Sequence, residues 1–330
     1  MTLPDITTEP LSQDQAEAIF GAILDGEVSD DAIAGFLVAL ADRGEQAGEI
    51  AGAAAALRAR LIPIEAPDNA IDVCGTGGDG HHTLNVSTAV SLVVAGAGVP
   101  VAKHGNRAAS SKSGAADTLE ALGLDMDAAG RTAERTLAEI GICFLFAKNH
   151  HPAMGRIQPI RLKLGRRTIF NLMGPLSNPA GVTRQLIGIA RPAYVPIYAD
   201  ALSRLGTERG LIVSGDEGLD ELSLAGGNEL AEVRGDGFTM QRAHPDDAGL
   251  PTAPVEAIRG GDARENAAAL RMLLDGAPGA YRNAVLFNAA GAFRVAGRVE
   301  SWADGVALAA EALDSGAARH LLERWIELAT

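Results

Sequence analysis

Residues 72–88 read DVCGTGGDGHHTLNVST. An apolar run, AIDVC (70–74), leads into Gly75, Gly77, Gly78 and Gly80, then adjacent His81 and His82, then Asn85, Ser87 and Thr88 at the start of an apolar stretch. The pattern predicts a buried strand over 70–74, a helix over 87–95 and a second strand in VPVAKHG (99–105). A β-loop-α-β unit of this kind calls for a parallel sheet. The loop formally matches G-x-G-x-x-G at Gly75, Gly77 and Gly80. A dinucleotide site would also need an acid about 20 residues further on to hold the ribose, and no Asp or Glu lies between Gly80 and Asp117. A nucleotide P-loop would end in Gly-Lys-Ser/Thr, which the chain lacks. The histidine pair has no Cys or carboxylate at zinc spacing beyond Asp79, and neighbouring side chains on an extended loop point apart. Glycines that turn backbone N–H groups toward an anion, ahead of a helix N-terminus, favour a phosphate cradle. The plainer reading, helix capping by Ser87 or Thr88, does not need so many glycines.

Upstream, the chain reads as helical. LSQDQAEAIFGAIL places Ser12 and Gln15 as a capping box, with Ala16, Ile19, Phe20 and Ile23 on one face. SDDAIAGFLVALADRG offers Ser29 as cap, Asp30 and Asp31 in the first turn, an inward face of Ile33, Phe36, Leu37 and Leu40, and Gly44 as stop. A third helix is predicted over Glu45–Leu61. Downstream, GICFLFA (141–147), RQLIGIA (184–190) and RGLIVSG (209–215) read as strands, YVPIYADALSRLG as a helix, and AGGNELAEVRGDGFTMQRA as strand-turn-strand. From Asn266 onward the pattern is nearly all helical. The expected organisation is a small helical domain, residues 1–66, feeding an α/β domain, residues 67–330.

Charge narrows the function further. The net charge is −14, which argues against general nucleic-acid binding. Yet no acid occurs from Ile140 to Ala199, where Lys148, Arg156, Arg161, Lys163, Arg166, Arg167, Arg184 and Arg191 lie. A second acid-free window, Gly80 to Ala116, holds Lys103, Arg107 and Lys112. Cationic windows in an acidic chain suit a small anionic ligand. Cys74 and Cys143 form no disulfide framework, the N-terminus lacks a signal-peptide pattern, and no run of about 18 apolar residues suggests a span. A cytoplasmic protein is expected.

Several segments together resemble the anthranilate phosphoribosyltransferase family: DVCGTGGDG with LNVSTA, AKHGNRAASSKSGAADTLEALG, KNHHPAMGRIQPIRLKLGRRTIFNLMGPLSNPAG, GLDELS and ENAAALRMLLDGAPGAYRNAVLFNAAGAF. The match runs from about Leu11 to the end, and GTGGD, KHGNR and GLDE in this order are specific together. The resemblance implies the fold shared with pyrimidine nucleoside phosphorylases: a small N-terminal helical domain, to which residues 160–182 contribute, and a large α/β domain with a central mixed, mostly parallel sheet flanked by helices. It implies transfer of the phosphoribosyl group from phosphoribosyl pyrophosphate (PRPP) to the amine of anthranilate, with Mg²⁺ as cofactor and a homodimeric assembly. Carried over by motif, Gly75, Gly78, Asp79, Thr83, Asn85, Val86, Ser87 and Thr88 line the PRPP site. Lys103, His104, Gly105, Asn106, Arg107, Ala108, Ala109, Ser110, Ser111 and Ala115 complete it. Ser87, Asp220 and Glu221 hold Mg²⁺. Gly75, Asn106 and Arg161 contact anthranilate, with His150, His151 and Pro152 along its approach.

Residue chemistry agrees with these roles: hard carboxylates suit Mg²⁺, and a guanidinium can grip a carboxylate through two bonds. Cys74 reads as a small core residue, His104 as either a substrate contact or packing, and no general base is apparent. The chain departs from the family in SGDEGLDE, where Ser214 and Glu217 replace residues of the frequent HG-x-DGLDE, and at Ala115, where a hydroxyl or thiol also occurs. The rival readings are a pyrimidine nucleoside phosphorylase of the same fold and a non-catalytic nucleic-acid-binding relative. The KHGNR and NHHPAMGRIQPIR segments oppose the first, and the acidic charge with GLDE intact opposes the second.

Overall fold

The computed structural model describes residues 3–7, 9–107 and 112–330. Three helices open the chain: α1 (Gln13–Leu24), α2 (Asp30–Arg43) and α3 (Ala47–Arg58). The capping box forms, with Ser12 Oγ accepting from Gln15 N and Gln15 Oε1 accepting from Ser12 N. Ser29 stands at the start of α2 but makes no side-chain capping bond, leaving Asp30 and Asp31 to face the helix N-terminus. The expected inward faces of both helices are buried, and Gly44 ends α2 with φ 91°. The third helix is shorter than its sequence pattern. At its start Glu45 accepts a bond from Tyr194 Oη at 2.6 Å; past its end Arg60 reaches Asp25 and Ile62 N donates to His150 O.

The α/β part is a seven-stranded sheet in the order β3-β2-β1-β4-β5-β6-β7. Its strands are β1 (Ile71–Gly75), β2 (Val101–Gly105), β3 (Ile142–Phe146), β4 (Arg184–Gly188), β5 (Arg209–Gly215), β6 (Asn228–Arg234) and β7 (Gly237–Ala243). The first five in that order run parallel; β6 is antiparallel to both β5 and β7, giving the mixed, mostly parallel sheet. Helix α4 (Val86–Gly96) crosses from β1 to β2.

Alternate residues of each strand enter different cores. Val73, Leu186, Leu211 and Val213 pack with α4 and the C-terminal helices. Ile187, Ile212, Ala231 and Val233 pack on the other face with the helix Val195–Arg204 and with α1–α3. Ile157 and Ile160, from the helix Met154–Leu164, and Ile169 and Phe170 join this second core. The helical domain is thus cemented to one face of the sheet.

One buried carboxylate ties the helical domain to the tail before it. Glu49 is fully buried; it accepts from Leu11 N and Gln46 N, both at 2.9 Å, and pairs with Arg43. Arg43 in turn donates to Ile6 O and Glu9 O. Removing one partner of a buried pair leaves the other charge uncompensated, at a cost of about 3 kcal/mol. Glu49→Ala is therefore expected to destabilise the fold by about that much, and an unchanged denaturant midpoint would refute the role.

Candidate active site

The strand order reverses direction at β1: β2 and β3 are laid down on one side, β4 and β5 on the other. In open α/β sheets the crevice beyond the carboxyl ends at such a switch point is where ligands bind. The glycine loop leaves β1 there. Gly77, Gly78 and Gly80 all take positive φ (67°, 78° and 79°), so their amides turn in ways L residues rarely follow. Thr76 N donates to Gly188 O at 2.9 Å and Gly77 N to Asp220 Oδ2 at 2.6 Å. The far end is pinned by Leu84 N to Ile258 O and Gly260 N to His82 O, both 2.8 Å. His82 sits at φ 54° with its side chain exposed, and His81 Nε2 lies 3.3 Å from Glu217 O. Among the described residues no cluster of three or more His, Cys, Asp or Glu is arranged to hold a metal.

The residues expected to act together converge beside the start of α4. Ser87 N donates to Glu221 Oε1 at 3.2 Å, and Ser87 Oγ accepts from Lys103 Nζ at 3.2 Å. Lys103 is only 2% exposed, so it is no surface lysine; its Nζ also donates to Val73 O at 2.7 Å. Burial lowers its pKa, and the negative charges of Asp72 and Glu221 oppose that. Asp220 is pushed up to about 7 by burial and by the nearby charge of Asp79. Burial, then the charge of Asp220, raises Glu221 well above the carboxylate range. Two carboxylates that repel each other in a buried setting form a donor set that a divalent cation would relieve. Mg²⁺ characteristically takes one or two carboxylates and completes its shell with phosphate oxygens and water, so Asp220, Glu221 and the Ser87 hydroxyl fit it.

Other expected residues are placed differently. The carboxamide of Asn85 is engaged within the protein: Oδ1 accepts from Thr118 Oγ1 at 2.5 Å and Asn266 Nδ2 at 2.8 Å. Val86 and Thr88 are buried on the core side of α4. Thr83 bridges to Arg259 through its backbone, and Asp79 Oδ1 accepts from His81 N. Gly105 ends β2 against the Phe144 ring, with Ala115 starting the next helix close by. Asn106 and Arg107 are exposed, and Arg107 pairs with Asp117 and Glu120 at 2.8 Å each. Ala108, Ala109, Ser110 and Ser111 lie outside the described residues.

The acid-free windows likewise conceal partners from distant sequence: Arg156 pairs with Asp30, Arg166 with Asp42 and Arg184 with Glu208. Arg161 has no ion pair among the described residues. Its guanidinium lies 6.0 Å from the Phe170 ring centroid, half-buried on the helix Met154–Leu164. An unpaired guanidinium held this way is available to an anionic ligand.

His104 is buried and donates from Nδ1 to Gly174 O at 3.0 Å, since a carbonyl can only accept. Its Nε2 is then the acceptor toward His151 Nε2 at 3.2 Å. His150 donates from Nδ1 to Ile62 O, and Pro152 is exposed. Sequence reasoning gave no role to Asp72, Asn178, Gly188 or Asn288, all of which shape this site. An Asp inside an otherwise apolar strand pattern was the signal available for the first.

Burial lowers His104 to about 3, assisted by the charge of His151, and lowers His151 to about 4, assisted by His150. The unfolded chain takes up these protons near pH 6.5 and the folded chain only far below, so stability falls as pH drops through that window. From pH 7 to pH 5 each imidazole is expected to remove about 2 kcal/mol. Denaturant midpoints at the two pH values should converge in His151→Gln; an undiminished pH slope in that variant would contradict the assignment.

Two family descriptions cover the chain: "Glycosyl transferase family, helical bundle domain" matches residues 6–61, and "Glycosyl transferase family, a/b domain" matches residues 67–319. The chain is 74% identical over 328 residues to an anthranilate phosphoribosyltransferase of Erythrobacter litoralis, covering 99% of both chains. It is 71% identical to that of Novosphingobium aromaticivorans, again covering 99% of both. Among solved structures, anthranilate phosphoribosyltransferase from Thermus thermophilus superposes with a TM-score of 0.92 at 46% identity, over 97% of this chain and 96% of that one. The Saccharomyces cerevisiae enzyme, solved in complex with PRPP and Mg, gives 0.87 at 29% identity, over 97% and 93%. On likeness of this extent, together with its fold, the chain belongs to the anthranilate phosphoribosyltransferase family.

Proposed function

We infer that this protein transfers the phosphoribosyl group of PRPP to anthranilate, giving N-phosphoribosylanthranilate and pyrophosphate in tryptophan biosynthesis. The observation that carries the reading is the meeting of Ser87, Lys103 and the Asp220–Glu221 pair beside a glycine loop at the switch point. In the reaction the bond from the anomeric carbon to the pyrophosphate oxygen breaks, a bond to the anthranilate nitrogen forms, and one amine proton is released. Negative charge grows on the leaving pyrophosphate, so groups preorganised around it matter most. The glycine loop at Gly78, whose positive φ only glycine adopts readily, would receive phosphate oxygens together with the α4 N-terminus. Asp220, Glu221 and Ser87 would hold Mg²⁺, which supplies charge neutralisation on the diphosphate when bound. Asn106 and Arg107, beyond the end of β2, extend the PRPP site with the segment that follows them.

Arg161 grips the anthranilate carboxylate, with Gly75 and Asn106 beside the ring and the His150–Pro152 turn along its path. Its half-buried setting strengthens such a contact. His104 and His151, neutral at physiological pH, shape the pocket without adding charge. Anthranilate's amine is already neutral, so orientation against the anomeric carbon replaces a dedicated base. We assign residues 1–66 and 67–330 as the two domains, with 160–182 packed as part of the helical one. A homodimer and a cytoplasmic location complete the proposal. Among the described residues no helix is long and apolar enough to cross a membrane.

Loss of anthranilate fluorescence in the presence of PRPP and Mg²⁺ tests the reaction. No consumption, combined with phosphate-dependent cleavage of uridine or thymidine, would overturn it. Arg161→Ala is expected to weaken anthranilate binding about 10- to 100-fold while sparing PRPP; equal losses on both substrates would remove the carboxylate role. The double variant Asp220→Asn with Glu221→Gln is expected to lose its response to Mg²⁺.

A further inference from the structure

Gly75 and Gly188 are paired with each other as the last residues of β1 and β4. Neither takes a positive φ, so their lack of a side chain concerns space rather than backbone freedom. A Cβ on Gly188 would fall 1.6 Å from the carbonyl oxygen of Asp220 and 2.3 Å from its carbonyl carbon. A Cβ on Gly75 would fall 2.3 Å from Asp220 Oδ2 and 2.9 Å from Cγ. The chain segment bearing Asp220 and Glu221 therefore rests directly on the bare backbone of two adjacent strand ends. At Gly188 the obstacle is main chain, which cannot swing aside as a flexible side chain would.

The same segment is gripped from behind. Asn288 is fully buried in the helix Ala280–Val295. Its Oδ1 accepts from Leu222 N at 2.8 Å, and its Nδ2 donates to Leu222 O at 2.9 Å and to Ala284 O at 2.9 Å. This two-way bond fixes the residue immediately after the carboxylate pair. In front, the pair meets the amides of Gly77 and Ser87.

We propose that Gly188 and Asn288 are positioning residues for the Asp220–Glu221 pair, the glycine setting its depth over the strand ends and the amide fixing its direction. The inference rests on the phosphoribosyltransferase reading above. Neither residue touches substrate in this scheme; both act through the carboxylates. Gly188→Ala must push the Asp220 main chain away from β4, and a displacement of about 1 Å at a reacting group is enough to cost on the order of a hundredfold. Asn288→Ala leaves the geometry of β4 intact but releases Leu222.

The test is calorimetric titration of PRPP into the protein across a series of Mg²⁺ concentrations, with anthranilate binding measured separately. The variants are Gly188→Ala, Asn288→Ala and a control, Leu313→Ala, which removes a buried side chain of the C-terminal helices. Both positioning variants are expected to need about tenfold more Mg²⁺ for half-maximal PRPP binding, with anthranilate affinity within a factor of about two of wild type. The control is expected to lose melting temperature without that shift. Wild-type Mg²⁺ dependence in a folded Gly188→Ala or Asn288→Ala protein, or the same shift in Leu313→Ala, overturns the proposal. If Gly188→Ala does not fold, Asn288→Ala decides alone. Absence of PRPP binding by the wild-type protein at every Mg²⁺ concentration would instead sink the functional reading, and the inference with it.

Discussion

Between β1 and β2 the backbone pairing stops after a single residue pair, Ile71 with Val101, and a buried carboxylate takes over. Every other parallel neighbour pair in the sheet stays in register for five residues. Asp72 Oδ1 accepts from His104 N at 3.1 Å, and Asp72 Oδ2 accepts from Asn178 Nδ2 at 2.8 Å. The other hydrogen of that amide goes to Ala102 O, while Lys103 Nζ reaches back to Val73 O. Side chains thus serve backbone groups that a continuous ladder would have paired, and buried backbone groups cannot be left unserved. The consequence is a sheet whose ladder between β1 and β2 lapses toward the carboxyl ends of the strands, where the candidate site lies. One carboxylate holds together the glycine-loop strand, the KHGN strand and the GPLSNP turn.

That arrangement carries an electrostatic cost that the site turns to use. Burial raises the pKa of Asp72, and the neighbouring Lys103 with three hydrogen bonds opposes it. Lys103 is influenced by Asp72 and by Glu221, so it is the charge that both acids share. Asp79, Asp220 and Glu221 crowd one side of the crevice and a single buried ammonium the other, and burial together with mutual repulsion disfavours the charged forms of Asp220 and Glu221. A divalent cation arriving with a diphosphate would favour the ionised carboxylates and lie between them and the phosphate oxygens. The acidic protein as a whole therefore needs no basic surface to take an anionic substrate.

Much of this was legible in the residues because it is local. Short apolar runs located the strands and a 3.6-residue period the N-terminal helices, since each element buries apolar residues regardless of its partner. The neighbours of the glycine loop argued against a dinucleotide or nucleotide P-loop site, and its place at the switch point of the sheet agrees with a ligand-binding loop. Ion pairs and side-chain direction were not legible. The cationic windows lost Arg107, Arg156, Arg166 and Arg184 to acids lying 10 to 126 residues away. Asn85, expected to face ligand, spends its carboxamide on Thr118 and Asn266. A window of sequence contains no information on which distant group will arrive beside it. The roles of Gly188 and Asn288 were hidden for the same reason, because each is defined by a segment more than 30 positions away.

The departures from the family's metal motif show what fixes the carboxylates. Ser214, in place of the frequent histidine, is fully buried in β5 and its hydroxyl stays with the local backbone. Glu217 accepts a bond from the hydroxyl of Ser223, and Asp216 is held by Arg242 on β7. These side chains brace the turn through Ser223 and Arg242. The turn itself is set by main-chain contacts: Gly215 N to Leu219 O at 2.9 Å, Gly218 N to Gly215 O at 2.8 Å, the Asn288 bonds to Leu222, and the bare approach to Gly188. Asp220 and Glu221 are thus held through the main chain on either side of them rather than through the side chains at 214 and 217.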